Sequence, residues 1–298
     1  MRVQCLAFPQ SLSFLSLNMF YFNTLKDFNM PTKFNWSTIL VLNVNLLVRR
    51  KMKTIQKNRN VGSSPLLKAA TTTALLAVLA GCVGNPYVTE AERNDVITLG
   101  DSIFDLSGEL QQFLEGPEMA NTTFRDYTLS GAKLSGGVVA KPVVEQYQDA
   151  QSDDPNINVI VMDGGGNDIL LPAAVFDPHK CKTTWYRPEL SSKCKSLVDD
   201  VYVETVNLLN EMDQNGVQQV IYLGYYYTTG DKENLHQAID FGDNRLADAC
   251  TNTTVSCQFV DPRPYIAPED VLSDNIHPTT SGSQKLAQLI WPYLQAVL

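Results

Sequence analysis

From about residue 95 onward, short apolar runs alternate with stretches in which apolar residues recur at helical spacing. The runs at 95–99, 123–129, 158–162, 220–227 and 256–260 are rich in Val, Ile, Leu, Tyr and Phe and read as strands. Helical spacing follows at 104–114, 138–147, 197–212, 235–249 and 280–298. In the last of these Leu286, Leu289, Ile290, Tyr293 and Leu294 share one face, and Gly216 marks the end of the third. Five short strands alternating with helices predict an α/β fold with a parallel sheet covered on both faces. Residues 171–195 break this rhythm with Pro172, Pro178, Pro188 and two cysteines, and read as an excursion stapled to the core.

The first 81 residues have a different texture. Residues 1–51 scatter Phe, Asn and Leu without steady periodicity, and the apolar stretch at 39–48 is interrupted by Asn43 and Asn45. Lys51, Lys53, Lys57, Arg59 and Lys68 then precede an apolar stretch at 69–80, which at a dozen residues falls short of the roughly 20 that a membrane helix needs. Leu79-Ala80-Gly81-Cys82 closes it and resembles the lipobox of bacterial lipoproteins. That resemblance implies cleavage before Cys82, lipidation of its thiol, and a bacterial cell-envelope location with the membrane as a partner through the anchor. Met52-Lys53-Thr54 is a natural start for such a signal. The expected organisation is a non-native extension at 1–51, a lipoprotein signal peptide at 52–81, a polar tether at 82–94 and one folded domain at 95–298.

Charge sharpens the division. Residues 1–81 carry ten Lys and Arg against the single acid Asp27, whereas residues 82–298 carry 13 basic and 31 acidic residues, a balance of −18 within the chain's −9. A body this acidic repels phosphate backbones, so nucleic acid is not an expected partner.

Setting Cys82 aside, the C-terminal body holds Cys181, Cys194, Cys250 and Cys257, and an exported compartment permits disulfides among them. Three pairings are open, of which the local one, Cys181 with Cys194 and Cys250 with Cys257, is the simplest. A loop the size of the first contributes roughly 3 kcal/mol by chain entropy. The spacings are not those of CxxC zinc sites, and His179 is the nearest histidine, so a metal is not expected.

Candidate chemistry collects at strand ends. Gly100-Asp101-Ser102 follows the first strand, which sets a hydroxyl at the rim of a parallel sheet, although the tripeptide alone is also ordinary turn chemistry. Near the C-terminus Asp274-Asn275-Ile276-His277-Pro278 supplies an imidazole with a carboxylate three residues earlier. In a turn, that carboxylate can hold Nδ1–H and leave Nε2 to face a serine. The other two histidines, His179 and His236, read as solvated or locally satisfied. Ser130-Gly131 and Gly165-Gly166-Asn167-Asp168 also follow predicted strands, where glycine admits close approach and an asparagine amide can donate to a negative oxygen.

Taken in order, Gly100-Asp101-Ser102, Gly131, Gly165-Gly166-Asn167-Asp168 and Asp274-x-x-His277 resemble the four blocks of the SGNH, or GDSL-type, esterase and lipase superfamily. The likeness spans about residues 95–298, with Ile103 in place of the usual leucine and only the Ser-Gly pair matching around Gly131. It implies a flavodoxin-like three-layer α/β/α fold, with Ser102 as nucleophile, His277 as base and Asp274 as its orienting acid. The implied oxyanion donors are the Ser102 and Gly131 backbone N–H groups and the Asn167 side chain. The implied activity is carboxylic ester hydrolysis without metal or organic cofactor, on an acyl lipid or an acetylated sugar. No Gly-x-Ser-x-Gly elbow is present, which disfavours an α/β-hydrolase lipase. A rival expectation is a catalytically retired scaffold that serves as a surface carbohydrate-binding or adhesion lipoprotein. Trp185 and Tyr186, in the excursion, are candidates to overhang the cleft.

Overall fold

In the computed structural model, residues 87–298 are described. Cys82, the expected signal peptide and the expected extension lie outside the described residues. Among the described residues, five strands pair in parallel: β1 (Arg93–Leu99), β2 (Phe124–Asp126), β3 (Val159–Met162), β4 (Gln219–Leu223) and β5 (Ser256–Val260). Their spatial order is β2-β1-β3-β4-β5. In register, Thr98 lies between Asp126 and Val161, Val161 lies beside Ile221, and Tyr222 beside Phe259.

Alternation along these strands feeds two cores, as the two-residue period of a pleated strand requires. Ile97, Leu99, Ile160, Met162, Val220 and Tyr222 point to a face covered by α3 (Val143–Asp153), α5 (Ser192–Gln214) and α6 (His236–Thr251). Val96, Val159, Val161, Ile221 and Leu223 point to the other, covered by α1 (Ser102–Asp105), α2 (Glu109–Glu115) and α7 (Thr280–Leu294). The remaining helix, α4 (Gly166–Val175), follows β3. This is the expected three-layer α/β/α arrangement. From the central pair β1 and β3 the chain proceeds to β2 on one side and β4 on the other, and such a switch point leaves a crevice beyond the strands' C-terminal ends.

Several boundaries differ from the periodicity for local reasons. The helix expected at 104–114 is split into α1 and α2, because Gly108 takes a left-handed conformation (φ +64°). The helix expected at 138–147 starts at Val143, after Pro142 at its N-cap, and Val138 and Val139 are exposed. β4 stops at Leu223, and α7 ends at Leu294 rather than continuing to 298. Within the segment expected as a tether, Tyr87 packs on Tyr127 with ring centroids 4.8 Å apart, and Val88 bridges Asp126.

Cys181 is bonded to Cys194 and Cys250 to Cys257. The first disulfide ties the excursion to the opening turn of α5, and Ala173, Leu190, Leu235 and Ala238 pack with it as a small satellite core. Trp185 takes no part in that core: it is 92% exposed, with Tyr186 edge-on against it. Among the described residues, no helix is long and apolar enough to cross a membrane.

Candidate active site

The nucleophile block is held by buried polar groups from three other elements. Gly100 leaves β1 with φ +149°, and a Cβ there would lie 2.0 Å from Asp163 Oδ1, so only glycine fits. The Gln146 side chain, fully buried on α3, grips both backbone groups of Gly100: it accepts from the N–H at 2.8 Å and donates to the carbonyl at 2.9 Å. The Asp101 N–H donates to Asp163 Oδ1 at 2.7 Å. The Asp101 side chain caps α1 by accepting from Ile103 N–H, and its second oxygen accepts from Tyr225 Oη at 3.0 Å and Asn167 Nδ2 at 3.2 Å. Ser102 is thereby fixed as the first residue of α1.

Asp101 and Asp163 are both buried, and burial pushes both carboxyls up from their ordinary range. Three donors reach Asp101 and offset its burial in part. Asp163 Oδ2 has no hydrogen-bond partner, and the neighbouring Asp101 adds to burial in raising Asp163 further. Of the two, Asp163 is driven further toward the protonated form, by burial and by the neighbouring Asp101.

The base arrives on the loop between β5 and α7. Asp274 Oδ1 accepts the backbone N–H groups of Ile276 and His277, each at 3.0 Å, which folds the Asp-x-x-His segment on itself with Asn275 at φ +68°. Tyr226 Oη donates to the Ile276 carbonyl at 2.7 Å, and Leu272 N–H to the His277 carbonyl at 2.8 Å. His277 Nδ1 is 2.6 Å from Asp274 Oδ2, and His277 Nε2 is 2.9 Å from Ser102 Oγ. Partial burial alone would raise Asp274, but the bonds from the His277 ring and the two backbone N–H groups outweigh it and bring its pKa to about 2. An ionised Asp274 fixes the imidazole tautomer: Nδ1 carries the proton and Nε2 presents its lone pair to the serine hydroxyl.

The second and third blocks meet the nucleophile from the other side. The Asn167 amide, on the first turn of α4, donates to the Ala132 carbonyl at 3.0 Å as well as to Asp101. Asp168 Oδ2 accepts from Leu134 N–H at 2.8 Å, and burial lifts its pKa to about 6. Asp105 of α1 accepts from both the N–H and the hydroxyl of Ser130. Gly131 (φ +83°) is therefore bracketed, with Ser130 tied to α1 on one side and Ala132 and Leu134 tied to α4 on the other.

The structure thus brings Ser102, His277, Asp274 and Asn167 together, with Gly131 in the adjoining loop. The remaining histidines lie elsewhere. His179 sits in the excursion, where its carbonyl accepts from Ser191, and the His236 ring bonds the Thr228 carbonyl at 2.6 Å. Nothing local to Gln146, Asp163 or Tyr225 in the sequence marks them as supports of the site, because their partners are distant. The Asp101 and Asp168 side chains stood inside the motifs, yet only their folded partners assign them a task.

No family model matches the chain, and no curated protein matches it. Solved structures do. The lipase Lip_vut3 from a goat rumen metagenome aligns with a TM-score of 0.50 at 14% identity, over 67% of this chain and 95% of that chain. An SGNH hydrolase, so assigned provisionally, from Slackia heliotrinireducens aligns at 0.47 and 14%, over 67% and 97%. Axe2, an acetylxylan esterase from Geobacillus stearothermophilus, aligns at 0.46 and 14%, over 67% and 92%. At these identities the likeness is one of fold.

Proposed function

We propose that this chain, built on the fold it shares with SGNH hydrolases, is a serine esterase that cleaves carboxylic esters through an acyl-enzyme. The observation that carries the reading is the continuous relay from Asp274 through His277 to Ser102, with links of 2.6 and 2.9 Å. As Ser102 Oγ attacks the carbonyl carbon, His277 Nε2 takes its proton, and Asp274 stabilises the imidazolium without accepting that proton. The oxyanion is received by the backbone N–H groups of Ser102 and Gly131 and by the Asn167 amide. Asn167 has two bonds to choose between, and the longer one, 3.2 Å to Asp101, is the one it gives up. Its loss leaves Asp101 with the donors Ile103 and Tyr225. Collapse of the tetrahedral intermediate breaks the bond to the alcohol, which takes the proton from His277. Water, deprotonated by the same nitrogen, then releases the acid and restores Ser102.

Hydrolysis of a p-nitrophenyl ester tests this reading. Ser102→Ala is expected to fall to the background rate with an unchanged unfolding midpoint, and full activity in that variant would refute the nucleophile assignment. A binding module would have no use for a carboxylate, an imidazole and a hydroxyl in line, which argues against the retired-scaffold alternative.

The export reading rests on the basic stretch, the short apolar run and Leu79-Ala80-Gly81-Cys82. On that reading, Cys82 carries lipid and the enzyme works from the cell envelope. Incorporation of labelled palmitate in a bacterial host should depend on Cys82. Undiminished labelling of Cys82→Ser would contradict it.

A further inference from the structure

A cavity bordered by Ser102 and Asn167 extends between α4, α5 and α6. Counted out to its opening, and so including solvent there, the space amounts to about 840 Å³. Away from Ser102 its walls are largely aliphatic: Ile169 from α4, Val198 and Val201 from α5, Leu235 before α6, and Ile239 and Leu246 from α6.

Most of the polar side chains that border it already have partners, although Arg245 Nε makes no hydrogen bond. The Tyr225 hydroxyl donates to Asp101, and the Thr228 hydroxyl to the Lys232 carbonyl. Arg245 pairs with Asp199 at 2.9 Å and lies over the Tyr202 ring at 3.9 Å. Asp243 accepts from Tyr225 N–H and faces Arg263 at 3.5 Å. A sugar ring drawn between these aliphatic walls would surrender most of its hydroxyls' bonds to water, whereas a hydrocarbon surrenders none.

Gly242 points to the same content. It sits inside α6, where glycine weakens a helix, yet a Cβ there would meet only Ile169 Cδ1, at 3.9 Å. The missing side chain keeps the space between α4 and α6 open.

We infer that this cavity holds the acyl chain of the substrate, and that the preferred acyl group is an unbranched aliphatic chain of several methylenes rather than acetyl. This rests on the esterase reading above. The assignment to the acyl side follows from the relay. The leaving oxygen must lie against His277 Nε2 to be protonated, and His277 does not line the cavity, whereas Ser102 and Asn167, which hold the carbonyl, do.

The test is a series of p-nitrophenyl acetate, butyrate and octanoate, with hexyl acetate as a control in which the chain is on the alcohol. Each methylene that enters the cavity is expected to raise kcat/KM by up to about fourfold, so octanoate should exceed butyrate by up to about 250-fold. Gly242→Leu, which fills the space, should lower the octanoate-to-acetate ratio at least tenfold. Gly242→Ala, whose methyl has room, should lower it less, and it keeps the test available if the leucine variant fails to fold. The inference is overturned if acetate is cleaved as well as octanoate, if neither substitution moves the ratio, or if chain length matters only in the alcohol. Each of those results leaves the esterase reading standing. Failure to cleave any ester, together with no labelling by a fluorophosphonate, would remove both.

Discussion

Two carboxyl groups support the Ser102–His277 pair from opposite sides, and their surroundings drive them in opposite directions. Asp274 lies on a loop with a third of its side chain exposed (34%), yet three N–H groups hold it ionised, with a pKa of about 2. Asp163 is 1% exposed, receives one N–H, and is pushed well above the ordinary carboxylate range. The first has a charge to offer to an imidazolium. The second, driven toward its protonated form, serves as a strut for the nucleophile turn. Burial alone does not make a carboxylate catalytic, because the number and kind of donors decide which charge state persists.

The same replacement, aspartate to asparagine, should therefore have unequal consequences. Asp274→Asn removes the charge and lets an amide dictate the wrong imidazole tautomer, a change that costs about 10⁴ in kcat in the general serine–histidine–aspartate template. A comparable fall is expected here in steady-state hydrolysis, with KM little altered, and a loss below tenfold would break the comparison. Asn167→Ala comes next. It removes one oxyanion donor and should cost about 10²–10³ in kcat. It also deprives Asp101 of a bond, so its unfolding midpoint should be read alongside the rate. A rate loss that tracked unfolding would shift Asn167 from chemistry to support.

Asp163→Asn should have the smallest effect, within a few-fold in kcat. The amide oxygen can still accept from Asp101 N–H, and the NH₂ group stands where the carboxyl proton stood. Its signature lies in stability against pH. Asp163 has a folded pKa above its unfolded value of roughly 4, so its contribution is fully present below that value and is lost as the pH rises through the folded pKa. Asp274 has a depressed folded pKa, so its contribution is present above roughly 4 and is lost as the pH falls through about 2. Urea unfolding of wild type and Asp163→Asn at pH 4.5 and pH 8 should show the variant gaining relative stability at the higher pH. The opposite trend would mean that Asp163 is ionised in the folded protein.

The two halves also differ in how far the sequence reveals them. Asp274, Ile276 and His277 interact within one turn, so a spacing of three residues carries the geometry. The strands were legible for a similar reason. Ile160 and Val161 point to opposite faces and both faces are buried, which writes a continuous apolar run into the chain. Supports of the nucleophile have no such local trace. Gln146 reaches Gly100 across 46 residues, and Tyr225 reaches Asp101 across 124. A lone glutamine on a helix or a tyrosine after a strand looks the same whether or not it ends at a catalytic turn. The acyl cavity was hidden likewise, since the apolar residues of α5 and α6 that line it follow the same period as those that pack the core. Trp185, the residue in that region whose chemistry stands out in the sequence, lies in solvent.

On this mechanism Ser102 is activated by the His277–Asp274 pair. Treatment with a fluorophosphonate followed by peptide mass analysis tests it most directly, because only an activated serine reacts. One adduct is expected, on the peptide containing Ser102, and it should disappear in His277→Ala while that variant stays folded. An unlabelled wild-type protein, a different modified residue, or undiminished labelling of His277→Ala would contradict it.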